Sequence, residues 1–441
     1  MHNLSKVKNI ALLLMLLGGI LFGIGYNLNH CKDRAFVEAE LKENPALFGV
    51  DMQSHGDHAA GEEHEMHMKH LENQVHNKPW TALYIASFLF TGIALASLFF
   101  FAVQQAAEVG WSHVVTRVME AIASFLPYGG VIILLIFAAS IFHENHLFHW
   151  MDESLSDPNS PHYDKFLHSK KPFLNKYLFA FVSVLFVGGW TYFLHVLKKK
   201  SRILDEHSSE ANYQSLVNSS IRFIVFFAFS SMTIGIYWVM SLDPHWYSTL
   251  FGWYLMVSYL VSAIAFMILI CLYLKSKGML PKFNDNHLHD LAKFLFGFSL
   301  LWSYLWFDQF MLIWYANIPE EVVYFQARFE QYRETYFTAL IPNLVLPLFI
   351  LVASNNKRKP KLVAIMAVIV ILGHFLDVFN VITPATVGGF WKTGFGLLEI
   401  GSFLFMLGLF GFVVFRQLSK SNLEPKGHPM FHESEIYEYP F

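Results

Sequence analysis

The sequence predicts an all-α polytopic membrane protein with about ten transmembrane helices. Three observations carry that prediction. Of 441 residues, 54% are hydrophobic and only 15% are charged, against roughly a quarter charged in an average soluble domain. Mean hydropathy is +0.39, and 45 phenylalanines lift the aromatic share to 17%, so the chain carries the apolar excess that a bilayer solvates. Finally, the apolar residues fall into runs of the length a helix needs to cross the hydrocarbon, about 20 residues at 1.5 Å each.

Ten such runs follow in order, at 9–28, 80–103, 121–142, 175–197, 220–241, 248–274, 289–315, 335–353, 361–381 and 394–416. Basic residues fall in alternate connections. Lys6 and Lys8 precede the first run; Lys198, Lys199, Lys200 and Arg202 follow the fourth; Lys275, Lys277 and Lys282 follow the sixth. Lys357, Arg358, Lys359 and Lys361 separate the eighth from the ninth, and Arg416, Lys420 and Lys426 follow the tenth. With ten spans all of these lie on one side, which the positive-inside rule makes cytoplasmic. Both termini are then expected in the cytoplasm. The first run has the basic flank of a signal peptide, but "GIGYNLNHCKD" offers no small-x-small cleavage site, so a retained helix is expected.

The opposite connections read differently. Residues 29–79 are the longest polar segment and contain "SHGDHAAGEEHEMHMKHLENQVH". There His64, His67 and His70, with Met66 and Met68, have the donor types and spacing of a soft-metal site. The charged, low-complexity composition favours a solvated or partner-contacting loop instead, and no metal is expected. Between runs five and six lies "SLDPHW". Pro244 stops the helix and Asp243 turns the chain, while Trp246, Tyr247, Trp253 and Tyr254 are expected to anchor at the interface. The tail "NLEPKGHPMFHESEIYEYPF" is expected to fray or to dock on a partner.

Several function classes drop out. A net charge of −3 gives no basic excess for nucleic acid. Two distant cysteines, Cys31 and Cys271, cannot ligate an iron–sulfur cluster, which takes about four thiolates. There is no Walker loop, GxGxxG after a strand, CxxC or HExxH, and "HENH" at His143 has the wrong spacing for a zinc protease. His195 and His374 are expected at different depths, which argues against a b-type haem pair.

What remains is a set of ionisable residues in or beside lipid, each of which costs free energy to place there. Toward the outer side these are His143 and Glu144, Asp243 and His245, Asp308, His374 and Asp377, and Glu399. His374 and Asp377 are three apart and share a helix face. The expectation is one shared interior pocket for proton transfer or hydroquinone binding, because oxidising a hydroquinone releases protons to a histidine or carboxylate within hydrogen-bond reach. For any single residue the plainer reading is a satisfied interhelical hydrogen bond. On the inner side Glu120 and His195 are candidates for proton entry. His113, Arg117 and Glu120 fall on one helical stripe, which also reads as an amphipathic interfacial helix. Arg222 and Lys293 are placed to snorkel to the headgroups.

The strings "FHENHLFHWM", "SLDPHWYSTLFGWY" and "FDQFMLIWYANIPEEVVYF", set in this ten-run layout, resemble the ActF-type membrane subunits of bacterial alternative complex III. That complex is a quinol:cytochrome c oxidoreductase, and the subunit is similar to the NrfD/polysulfide-reductase membrane-subunit family. The resemblance covers nearly the whole chain. It implies two four-helix bundles, residues 80–241 and 242–381, flanked by 1–79 and 382–416, with a tail at 417–441. It implies a subunit without a redox cofactor of its own that binds or borders menaquinol. Its implied partners are a second NrfD-like subunit, multi-haem cytochromes c, an iron–sulfur subunit and a terminal oxidase. The quinol pocket near the iron–sulfur protein is expected in the sister subunit. "SLDPHW" would join the two bundles, with Asp243 and His245 locking them, touching a partner or passing protons outward. A secondary transporter and a purely structural scaffold are the alternative functions.

Overall fold

Each apolar run is helical, and the described residues contain no strand. A helix satisfies its backbone hydrogen bonds within one segment, which is what a chain in hydrocarbon requires. The structure, a computed structural model, describes residues 4–44, 60–160, 163–393 and 396–438. Nine of its helices are long and apolar enough to cross a membrane, and the chain is a multi-pass membrane protein. A tenth, Asp285–Ala316, is 32 residues long, about 48 Å at 1.5 Å per residue. Serine, tryptophan, tyrosine and the pair Asp308–Gln309 make it less apolar than the rest, yet it packs along its neighbour Phe251–Ser276 throughout.

In chain order the elements begin with α1 (Ser5–His30) and the short α2 (Arg34–Glu43), which starts where Asp33 accepts the Phe36 N–H. Next comes α3 (Ala60–Ala106), 47 residues long, and it corrects the expected loop over 29–79. From Ala60 onward that polar stretch is an extension of the second span, and the helix runs straight through Pro79. The side chains of His64, Met66 and His67 lie outside the described residues. His70 packs edge-on against His149, and the described residues hold no cluster of three metal-ligating side chains.

The third span is broken into α4 (Thr116–Ala123) and α5 (Leu126–Ile141). After the short α6 (Lys165–Lys170) come α7 (Lys176–Glu206) and α8 (Glu210–Ile234), the latter continuing through a π turn at Gly235–Val239. These helices pack with α3 as a first bundle. The second bundle consists of α9 (Phe251–Ser276), α10 (Asp285–Ala316), a broken span and α15 (Pro360–Thr386). The surface helix α11 (Pro319–Glu330) leads into the broken span, which runs from α12 (Arg333–Thr338) through a π turn at Ile341–Val345 to α13 (Leu346–Leu351). The four-residue α14 (Ser354–Lys357) turns the chain into α15. α3, almost wholly buried, packs on both α9 and α15 and so joins the bundles.

α16 (Leu397–Lys420) returns across the molecule and pairs with α1. Small residues let these two backbones touch, as they do between helices in lipid. A β-carbon on Gly18 would overlap the Phe405 nitrogen; one on Gly401 would lie 2.5 Å from the Phe22 nitrogen, and one on Gly408 2.5 Å from that of Met15. The first run is thus a helix packed against α16.

The tail does not fray. It crosses the lysine-rich end of the molecule, carries α17 (Phe431–Glu435), and is held by side chains from both bundles. Ser434 accepts from the Val114 N–H at 3.0 Å and donates to the Trp111 carbonyl at 2.6 Å. Tyr437 donates to Asp290 at 2.6 Å, and His428 stacks on His113 with ring centres 3.7 Å apart. As far as Glu438 the tail is docked on its own chain.

Candidate functional site

The two ionisable residues three apart on α15 meet polar side chains from α9 and α10. Asp377 accepts from Tyr254 through one carboxylate oxygen. Its other oxygen accepts from Ser258 Oγ and from Trp302 Nε1, each at 3.1 Å. Ser258 Oγ also stands 2.9 Å from His374 Nδ1, and that nitrogen is 3.8 Å from the carboxylate. Helical spacing explains the set. Tyr254 and Ser258 are four apart on α9, as His374 and Asp377 are three apart on α15, so each pair presents one face to the other. Trp302 closes the site from α10 with its ring edge-on to His374. Exposure is 0% for His374 and 3% for Asp377.

Taking Asp377 as the acceptor gives one arrangement of protons. The Ser258 hydroxyl donates to Asp377, so its oxygen accepts from His374 Nδ1–H. A neutral imidazole then presents Nε2 as a bare acceptor. That Nε2 is buried and has no partner among the described residues. Neither amide atom of Asn343 has one either. Asn343 sits in the π turn against Gly373, the residue before His374, where a β-carbon would overlap its Oδ1. Buried polar groups are almost always paired, with protein, ordered water or an ion. π turns recur at functional sites. The site therefore offers a base, His374 Nε2, backed by a carboxylate that stabilises the imidazolium once the proton arrives.

The other candidates do not join it, which corrects the expectation of one shared pocket. Asp308 is partly exposed, six residues beyond Trp302 on α10 and about 120° around the helix from it. Glu399 is buried but spent on capping, since its Oε2 accepts the Gly396 N–H at 2.9 Å at the start of α16. It also lies within electrostatic reach of Lys32 and Lys78. His143 and Glu144 are exposed where α5 ends, His143 in a left-handed turn at φ 61°.

Pro244 and His245 form a clasp, and the Asp243 side chain takes part in neither of its bonds. His245 Nε2 lies 2.6 Å from Asp164, and Lys170 donates to the Pro244 carbonyl at 2.6 Å. The loop is thereby tied to the connection that carries α6. Trp246 is buried and stacked at 3.7 Å on Tyr324 of α11, so it is not an interfacial anchor; Tyr254 is buried in the site. Tyr247 and Trp253 are exposed, as expected for anchors. The Arg328 guanidinium stacks 3.3 Å over Tyr324 and donates to the Tyr324 and Val381 carbonyls. Burial raises the Asp243 carboxyl above the ordinary range, and Arg328, His245 and Lys170 pull it back down.

At the lysine-rich end α4 is wholly buried rather than interfacial. Arg117 binds both Glu120 oxygens at 2.8 Å, Ser201 at 2.9 Å, and Asp205. Glu120 is thus locked in an ion pair, while His195 lies exposed on α7 with Nδ1 on the Thr191 carbonyl at 2.7 Å.

Tyr254, Ser258, Trp302 and Asn343 were missed from the sequence. Asn343 did leave a signal, a lone amide between Pro342 and Pro347 in an apolar run. Tyr254 was hidden among interfacial aromatics. The chain matches no family model and no curated protein.

Proposed function

We propose that this chain is the proton-handling membrane subunit of a quinol:cytochrome c oxidoreductase of the alternative complex III type. It holds no redox cofactor and lies in a bacterial inner membrane with its lysine-rich end and both termini in the cytoplasm. Menaquinol is oxidised beside it or in a sister NrfD-like subunit, and the electrons pass through iron–sulfur and multi-haem cytochrome c partners toward a terminal oxidase.

One observation carries the reading: a buried imidazole whose Nε2 has no partner among the described residues, beside a carboxylate that accepts from three donors, inside a lipid-spanning bundle. Proton transfer to a positioned histidine is what hydroquinone oxidation requires, and intramembrane acid–imidazole pairs are the usual furniture of proton relays. In this mechanism His374 Nε2 takes the proton. Asp377, 3.8 Å away, stabilises the resulting imidazolium without itself being protonated, and Ser258 keeps the imidazole in the right tautomer. Tyr254 and Trp302 hold the carboxylate in place. The outer clasp and Glu399 serve the scaffold.

Purifying the tagged chain from native membranes tests the assignment. It should bring down c-type haem protein and menaquinol:cytochrome c reductase activity. A chain that purifies without haem protein, and that alone carries solute or proton flux in proteoliposomes, would make it a transporter instead.

A further inference from the structure

Where α5, α7 and α16 meet at the lysine-rich end, a cleft of about 270 Å³ opens on the surface. Its lining includes Lys198, Arg416 and Lys420, together with Tyr128, Leu194 and Val413, and contains no acid. Lys198 reaches in from α7 and spends one of its N–H donors on Ser124 Oγ at 2.8 Å, at the break between α4 and α5. Arg416 and Lys420 are four apart on α16 and lie on one face. Both are exposed, and neither side chain has a hydrogen-bond or ion-pair partner among the described residues. The nearest acid acting on Lys198 is Glu120, and Arg117 already holds it.

Three cations around one cleft without an anion are mutually repulsive, so the site is incomplete as it stands. The apolar surroundings say what completes it. From Tyr128 at the cleft, Val131 and Leu135 continue along α5 at helical spacing, all three strongly exposed. They form an apolar stripe leading from the cations toward the middle of the span. A ligand that fits both parts has a phosphate at one end and hydrocarbon at the other. We propose that this cleft binds the headgroup of an anionic phospholipid, with Lys198 at its floor, Arg416 and Lys420 at its rim, and the acyl chains along Tyr128, Val131 and Leu135. Basic clefts between membrane helices at the lysine-rich side recognise such headgroups. The cleft on the other face of α7 is a weaker candidate, because its Lys200 is already used on Ser215 and Ser219.

The proposal is tested on the full chain by native mass spectrometry with added phosphatidylglycerol or phosphatidylcholine. R416Q/K420Q should retain phosphatidylglycerol at least about tenfold more weakly, two charges each contributing roughly a kcal/mol being lost. R416K/K420R should restore it, and phosphatidylcholine retention should not change. K199Q/R202Q removes the same charge elsewhere on α7 and should behave as wild type. Equal loss in both charge-removing variants would overturn the site, as would wild-type retention by R416Q/K420Q. Displacement of the lipid by millimolar inorganic phosphate would assign the cleft to a free anion and overturn the lipid. The substituted side chains are exposed, and an unchanged melting curve confirms the fold of each variant.

Discussion

The indole N–H of Trp302 reaches Asp377 across the second bundle at 3.1 Å, from α10 to α15. It is one of three donors on a carboxylate that sees almost no solvent. Trp302→Phe keeps most of the ring packing and removes that donor. A hydrogen bond to a buried charged group contributes about 1.5–3 kcal/mol, so the variant should melt measurably earlier in detergent. Trp306→Phe, one turn along and packed on Tyr336, is the control and should melt close to wild type.

How α1 packs on α16 yields a second prediction. Gly18 lies against the α16 backbone, whereas Gly23, on the same helix, has open space at its β-carbon position. Gly18→Ala should separate the helices and lower the melting temperature. Gly23→Ala should be neutral or slightly stabilising, since alanine favours a helix over glycine by about 1 kcal/mol. Equal effects from the two would contradict the packing described.

The docked tail should respond to acid. Burial brings the His428 imidazole down from 6.5 to about 3, with His113 and Arg117 adding to the effect. Its Nε2–H donates to Gln105 Oε1 at 3.0 Å, and Tyr213 packs edge-on. A released tail would titrate at the ordinary value. It then binds more protons than the docked tail between these two pH values, so docking is full above about pH 6.5 and weakens as pH falls. At pH 5 the loss is about 2 kcal/mol. A spin label on Ile436→Cys, in a Cys31→Ser background, should become mobile near pH 5. His428→Leu should weaken that response, and His287, bonded to the Ser434 carbonyl and likewise lowered by burial to about 4, supplies the remainder.

At the other end the clasp and the core beneath it should behave differently. His245 and Asp164 form an exposed pair, and such pairs contribute about 0–1 kcal/mol. His245→Gln should therefore leave the melting curve nearly unchanged. Arg328 is buried, and removing its charge strips the compensation from Asp243 and the donors from two carbonyls. Arg328→Met should cost several times more.

The helical, membrane-spanning nature of the chain was legible because hydrocarbon imposes one demand on every span, and composition records it. Pro79 misled, since it reads as a boundary while the helix crosses it. Within the site, His374 and Asp377 were legible as charges in the wrong solvent. Their partners were not, because a tyrosine, a serine and a tryptophan are unremarked in a membrane helix, and what distinguishes Tyr254 from Trp253 is which way each faces. The expected single pocket failed for a related reason. Glu399 looked like an acid in a span, but a carboxylate in the first turn of a helix caps its own N–H groups first.

The most direct test of the proton role is turnover of the intact complex carrying His374→Gln, measured as cytochrome c reduction together with proton release in proteoliposomes. Glutamine can still bond Ser258 but cannot take a proton. The account predicts a fall of about two orders of magnitude, the scale of a lost general base, with subunit composition and melting unchanged. Wild-type rate and proton yield in that variant would contradict it.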